Sequence, residues 1–216
     1  MRVETYCGGA VETNGYLLLQ DEMALVVDAP DGMAGWLAGR RQGHDLPIAA
    51  LLLTHGHWDH IVDARLIQQR FRTPVWIHQN SVPLLENPSL QSAFNPFYDL
   101  QPCQADRLLD CEETIKLPGF EFGLLCCPGH CPGSLCFLFP KEKTLFTGDV
   151  LFAGGVGRWD LPGGAEKKLI HAIQTKILVL PEDTRVFPGH GPSTTVGQER
   201  RTNPYLCGLT PLCEGI

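Results

Sequence analysis

At 216 residues, with 44% hydrophobic and 19% charged residues, the chain has the ordinary make-up of a globular protein with one sizeable core, and a single domain spanning 1–216 is the default expectation. Lys plus Arg total 17 against 24 Asp plus Glu, a net charge of -7, and no basic run occurs, which argues against nucleic acid as a partner. Residues 1–30 carry Glu4, Glu12, Asp21 and Glu22 in place of the apolar core of a signal peptide, and no apolar run approaches the roughly 20 residues of a membrane span, so a soluble, cytoplasmic protein with no membrane partner is expected.

Taken in order, Tyr16 to Leu19 and Met23 to Val27 read as a hairpin turning at Asp21-Glu22 and ending at Asp28. Met33, Trp36 and Leu37 place a helix over 31–42, which returns the chain to a buried strand over 48–53. After His60, the positions Ile61, Leu66, Ile67 and Phe71 fit one amphipathic helix, stopped before Pro74, and 74–78 reads as the next strand. Residues 79–105, with Pro83, Pro88, Pro96 and Pro102 among aromatics, read equally as a covering loop or a surface connection. Short strands follow over 107–109, 114–117, 120–125, 134–139 and 144–146, the last two joined by a turn at Lys141-Glu142-Lys143. A helix over 166–178 carries the stripe Leu169, Ile170, Ile173 and Ile177, then a strand over 185–187 and a short helical tail from Val196. Strands alternating with helices point to a layered α/β arrangement.

The chemistry concentrates after the strand at 48–53. His55, His57, Asp59 and His60 fall within Thr54-His55-Gly56-His57-Trp58-Asp59-His60, where imidazole and carboxylate donors suit Zn, Fe, Mn or Ni. A surface cluster of this kind would place costly polar groups at the edge of a core. His130, Asp149 and His190 each follow an apolar strand beside glycine, the position where open α/β sheets collect ligand sites. His44, His78 and His171 lack that setting and are read as ordinary. The nine cysteines are odd in number, and without a secretion signal they are expected as reduced thiols, several of them small core residues. Cys126, Cys127, Cys131 and Cys136 lack the paired C-x2-C spacing of a zinc knuckle, and Cys207 and Cys213 are read as bystanders.

The ordered motifs Thr54 to His60, Pro128-Gly129-His130, Thr147-Gly148-Asp149 and Pro188-Gly189-His190-Gly191 resemble those of the metallo-β-lactamase superfamily. The resemblance implies an αββα sandwich, two mixed sheets flanked by helices, and two divalent metal ions per chain, zinc foremost, with iron or manganese also compatible. It assigns His55, His57 and His130 to the first ion, Asp59, His60 and His190 to the second, and Asp149 to a bridge between them. Two such ions about 3.5–4 Å apart lower the pKa of a shared water and stabilise the oxyanion formed when it attacks a carbonyl. Asp59 has a further expected role, orienting that water or taking its proton.

Within the superfamily, Asp149 to Gly164, with Arg158-Trp159-Asp160, is similar to the corresponding part of short bacterial glyoxalase II-like hydrolases, as is Asn203-Pro204-Tyr205-Leu206. That likeness implies hydrolysis of a small-molecule thioester, S-lactoylglutathione or a related compound, with Arg158 pairing a substrate carboxylate by two parallel hydrogen bonds. The other reading of Arg158 is a salt bridge with Asp160. Larger glyoxalase II enzymes add a C-terminal helical domain that the stretch after His190 does not match, which leaves room for another acyl thioester. Relatives commonly have Thr where Cys131 stands. The alternative activity is that of persulfide dioxygenases, which share the fold and use one iron.

Overall fold

A computed structural model of the chain describes residues 1–40, 46–95 and 97–208. His44, Pro96, Cys213 and the expected helical positions 41 and 42 lie outside the described residues. Two compact units are present, Met1–Asp110 with Lys116–Glu121, and Cys111–Ile115 with Phe122–Ile216.

The first sheet holds six strands in chain order, β1 (Arg2–Gly8), β2 (Thr13–Gln20), β3 (Met23–Val27), β4 (Ile48–Leu52), β5 (Val75–His78) and β6 (Arg107–Leu109). Its first three strands pair antiparallel and the rest parallel. The expected hairpin is β2–β3, with Asp21 in the left-handed region at its turn. β1 was not anticipated: no residue of it is buried, so it lacks the apolar run that marks an interior strand. Parallel neighbours require crossovers, and α1 (Met33–Arg40) and α3 (Ala64–Phe71) supply them, with α2 (Trp58–Ile61) as a single turn before α3. Successive strand residues face opposite sides, so Ala24, Val26, Leu51, Val75 and Ile77 meet Met33, Leu37, Ala64 and Ile67 in one core. The single helix expected after His60 is two; Ile61 and Ile67 are buried as expected, whereas Leu66 is 54% exposed and Ala64 joins the buried face.

Residues 79–105 are more ordered than either expectation. They form a 3-10 turn (Gln79–Ser81), α4 (Val82–Glu86) and a second 3-10 turn (Pro88–Gln91), with Leu85, Gln91 and Cys103 buried.

The second sheet has the order β14-β13-β10-β9-β8-β7, from β7 (Thr114–Leu117), β8 (Phe120–Cys126), β9 (Leu135–Phe139), β10 (Thr144–Gly148), β13 (Arg185–Pro188) and β14 (Thr194–Thr195), while β11 (Leu151–Phe152) and β12 (Gly155–Val156) make a separate small hairpin. β10 and β13 are parallel, and β8, β9 and β10 are antiparallel neighbours. Alternation again sorts the residues. Phe122, Phe137, Phe139 and Phe146 form one aromatic cluster, whereas Leu145 and Val186 pack with Leu169, Ile173 and Ile177. These last three lie on the expected helix, which is α5 (Glu166–Ala172) continued by a π turn (Ile173–Ile177); α6 (Val196–Thr202) closes the described fold. The architecture is thus mixed α/β, two mixed sheets flanked by helices, as the resemblance implies.

The expectation of reduced thiols is corrected at one pair. Cys111 and Cys126, with Cα atoms 5.3 Å apart, form a disulfide, because the β7–β8 hairpin returns the chain to its own start and brings two sequence-distant cysteines together. Cys103, Cys127, Cys131 and Cys136 are buried thiols outside the disulfide, as expected of small core residues. Burial pushes the Cys103 thiol up to about 12, which makes it inert. No helix of the described residues is long and apolar enough to cross a membrane.

Candidate metal centre

In the first unit the ligand turn follows β4 and enters α2. His55 and His60 have ring centroids 4.3 Å apart, His55 and His57 4.6 Å, and Asp59 Oδ2 lies 3.4 Å from His60 Nε2. Four of the expected ligands therefore share one small volume. His55 and His60 are buried, while His57 and Asp59 are half-buried. The Thr13 hydroxyl donates to Asp59 Oδ2 at 2.7 Å and fixes the carboxylate from β2.

Beneath this turn sits Asp28, which sequence reasoning treated only as the end of a hairpin. It is buried, with φ 57, and its carboxylate accepts from the Thr54 backbone N–H at 2.8 Å, from the Thr54 hydroxyl, and from His60 Nδ1 at 2.8 Å. A carboxylate only accepts, so the His60 proton is on Nδ1 and the Nε2 lone pair faces Asp59. The Thr54 hydroxyl, spent as a donor to Asp28, accepts from His55 Nδ1 at 3.1 Å. One buried carboxylate thus sets the tautomer of two histidines, leaving Nε2 of each as a metal-competent donor. In the sequence Asp28 shows only as a carboxylate closing an apolar strand, and the β3–β4 pairing that brings Thr54 and His60 to it appears only in the fold.

In the second unit three loops converge. His130 Nε2 lies 3.6 Å from Asp149 Oδ2, and His190 Nε2 lies 3.5 Å from the same oxygen. A register shift between Phe146 and Gly148 bulges β10 just before Asp149, the kind of irregularity that re-aims a side chain. The Gly189 N–H donates to the Gly148 carbonyl at 2.8 Å, tying the His190 loop to the Asp149 loop. His130 Nδ1 donates to the Arg158 carbonyl at 2.7 Å, so Nε2 is again the free lone pair. That contact needs the backbone of 157–158 to pass close by, and a Cβ on Gly157 would stand 1.9 Å from the Asp149 carbonyl oxygen. Gly129, at φ 137, allows the same intimacy with α5, where a Cβ would meet Leu169 N at 2.2 Å.

The donor set fits divalent transition metals: His55, His60 and His130 present imidazole Nε2 atoms with Nδ1 already committed, and the Asp59 carboxylate is held by the Thr13 hydroxyl. Arg158 does not stand open to a ligand. Its Nε and Nη2 each donate to Asp160 at 2.7 Å, both side chains are 62% exposed, and the Arg158 hydrogen bond holds the Asp160 carboxyl down at about 2. Beside the pair is a cleft of about 300 Å³ lined by Val156, Gly157, Trp159 and Tyr205. His78, read as ordinary, is buried; its Nδ1 accepts from the Asn80 N–H at 3.1 Å, and burial lowers its pKa.

The sequence model of the metallo-beta-lactamase superfamily matches residues 8–190. Hydroxyacylglutathione hydrolase GloC of Haemophilus influenzae (strain ATCC 51907 / DSM 11121 / KW20 / Rd) is 39% identical over 208 residues, covering 95% of this chain and 98% of its own length. Among solved structures, the BLEG-1 B3 metallo-beta-lactamase superposes with a TM-score of 0.90 at 38% identity, over 96% of this chain and 100% of that one. TTHA1623 in a di-iron-bound form superposes at 0.84 and 36%, over 94% and 100%. Matched along almost all of its length, the chain belongs to the metallo-beta-lactamase superfamily, as a metal-binding hydrolase.

Proposed function

We propose that the protein hydrolyses small acyl thioesters, S-lactoylglutathione or a related compound, to a carboxylic acid and a thiol. In this reading His55, His57, His130, Asp59, His60, His190 and Asp149 would hold two divalent ions, most simply zinc. The observation that carries the thioester is the likeness to a hydroxyacylglutathione hydrolase over nearly the whole of both chains. The di-iron relative supports a two-ion centre and keeps iron open as the metal. Bound divalent ions supply a water activated at neutral pH and an electrophile for the carbonyl oxygen. Asp59, fixed by Thr13, orients that water and takes its proton. Water adds to the thioester carbon, the C–S bond breaks, and the thiolate leaves and is protonated.

Arg158 binds the carboxylate of the thiol arm by exchange. The ion pair is exposed and screened by water, so a substrate carboxylate displaces Asp160 from the same fork at little cost. The test is a thioester panel on protein of measured metal content, with a β-lactam and a glutathione persulfide as further arms. Metal-dependent thiol release, fastest with hydroxyacyl thioesters, is the expected result. Ring opening of the β-lactam without thioester cleavage would overturn the reading. So would oxygen uptake with the persulfide at one iron per chain.

A further inference from the structure

We infer that Glu199 and Asn203, on and just after α6, are positioning residues for the three-ligand half of the metal centre, acting through the β11–β12 hairpin. The inference rests on the reading of His130, Asp149 and His190 as metal ligands and adds residues to which no part of the reaction has been assigned.

The hairpin is short, yet it packs on one candidate ligand of its unit and is joined by a few residues of chain to a second and to the carbonyl that accepts from the third. Asp149 stands two residues before its first strand, and Phe152 packs edge-on against His190, centroids 5.9 Å apart. At its far end, Gly157 donates to the Val150 carbonyl at 3.2 Å, and the next residue, Arg158, offers the carbonyl that accepts from His130 Nδ1. Two strands of two residues each do not hold a shape by themselves. Something must fix the tip.

Glu199 does so. It is 1% exposed, and both carboxylate oxygens are used: Oε1 accepts from the Thr194 hydroxyl at 2.6 Å, and Oε2 accepts from the Gly154 backbone N–H and from Asn203 Nδ2, each at 2.8 Å. Asn203, fully buried, also donates from Nδ2 to the Gly155 carbonyl at 3.0 Å, while its Oδ1 accepts from the Tyr205 N–H. Both hairpin-tip residues are thus held through backbone groups by two side chains one helical turn apart. A buried carboxylate is costly without such partners, and a fold that needed only a helix end here would be served by apolar residues. The clamp instead sets the path from Asp149 to Arg158, which fixes the His130 tautomer and the seat of His190.

Glu199→Gln keeps the clamp: the amide oxygen accepts from Gly154 and Asn203, and its NH2 donates to the Thr194 hydroxyl, which accepts as well as donates. Glu199→Ala and Asn203→Ala break it. Zinc affinity of the whole chain, read by chelator competition, is expected to fall roughly tenfold or more in both alanine variants and to stay near wild type in Glu199→Gln. Thermal midpoints of the metal-free proteins are measured in parallel. Alanine variants with lowered midpoints but wild-type zinc affinity and stoichiometry would overturn the inference, because a purely structural role moves only the midpoint. Should Glu199→Ala fail to fold, Asn203→Ala and Glu199→Gln decide the matter by the same affinity readout. A wild-type chain that binds no zinc, iron or manganese would instead overturn the metal reading beneath it.

Discussion

The two units hold their candidate metal ligands still in opposite ways. In the first, four ligands come from six consecutive residues, and rigidity comes from below, through Asp28 acting on His60 directly and on His55 through Thr54. In the second, three ligands come from loops after β8, β10 and β13, and rigidity comes from backbone crossings: the Arg158 carbonyl on His130, the Gly189–Gly148 hydrogen bond and the clamped hairpin. A contiguous site concentrates its support in one carboxylate, whereas a dispersed site spreads it over many small contacts. Damage to the two should therefore look different.

The largest effect is expected at Asp149, which faces both His130 and His190. Asp149→Ala should lower thioester turnover by about a thousandfold, the equivalent of several kcal/mol of charge stabilisation, and should lower metal content with it. Steady-state kinetics beside elemental analysis checks this, and full activity would remove Asp149 from the centre. Next comes Asp28→Asn, which replaces one accepting oxygen by a donor. Metal affinity should fall roughly 10–100-fold, and His60 should lose its fixed tautomer, visible in ring-nitrogen NMR shifts. Gly157→Ala probes the other kind of support. Its Cβ has no room beside the Asp149 carbonyl, so the segment must shift, at about 1–3 kcal/mol of stability, with metal loss confined to the second unit's ligands.

The contrast between contiguous and dispersed also explains what the sequence disclosed. The candidate ligands stood out in two ways, His55, His57, Asp59 and His60 by their density after one strand and His130, Asp149 and His190 by their place at strand ends beside glycine, and within each unit these side chains lie close together. Most strands were legible from apolar runs, while β1, which buries none of its residues, was not. Asp28 was hidden because support of this kind carries no spacing rule: its partners Thr54 and His60 are brought to it only by β3–β4 pairing. The β11–β12 hairpin was hidden for the same reason, being two strands of two residues held by α6 across more than forty positions of sequence. The Cys111–Cys126 bridge needed the β7–β8 return, which composition does not encode.

The smallest predicted effect lies at the exposed Arg158–Asp160 pair. Asp160→Asn frees the Arg158 fork, so KM for a carboxylate-bearing thioester should fall roughly threefold to tenfold with kcat unchanged, and KM for a neutral thioester should not move. The sign with pH follows from the carboxyl held near 2, below its ordinary 3.8. The folded state favours the ionised form, so the pair is present above about pH 4 and is lost as pH falls through 2. The Asp160 effect on KM should therefore be flat between pH 5 and 9. An equal KM change for neutral substrates would return the pair to a surface role.

The central claim is that His55, His57, Asp59, His60, His130, Asp149 and His190 hold divalent metal. Anomalous diffraction from crystals of metal-loaded protein tests it most directly. The account predicts two metal peaks per chain, held by these seven side chains. A single peak, or peaks held by other side chains, would contradict it.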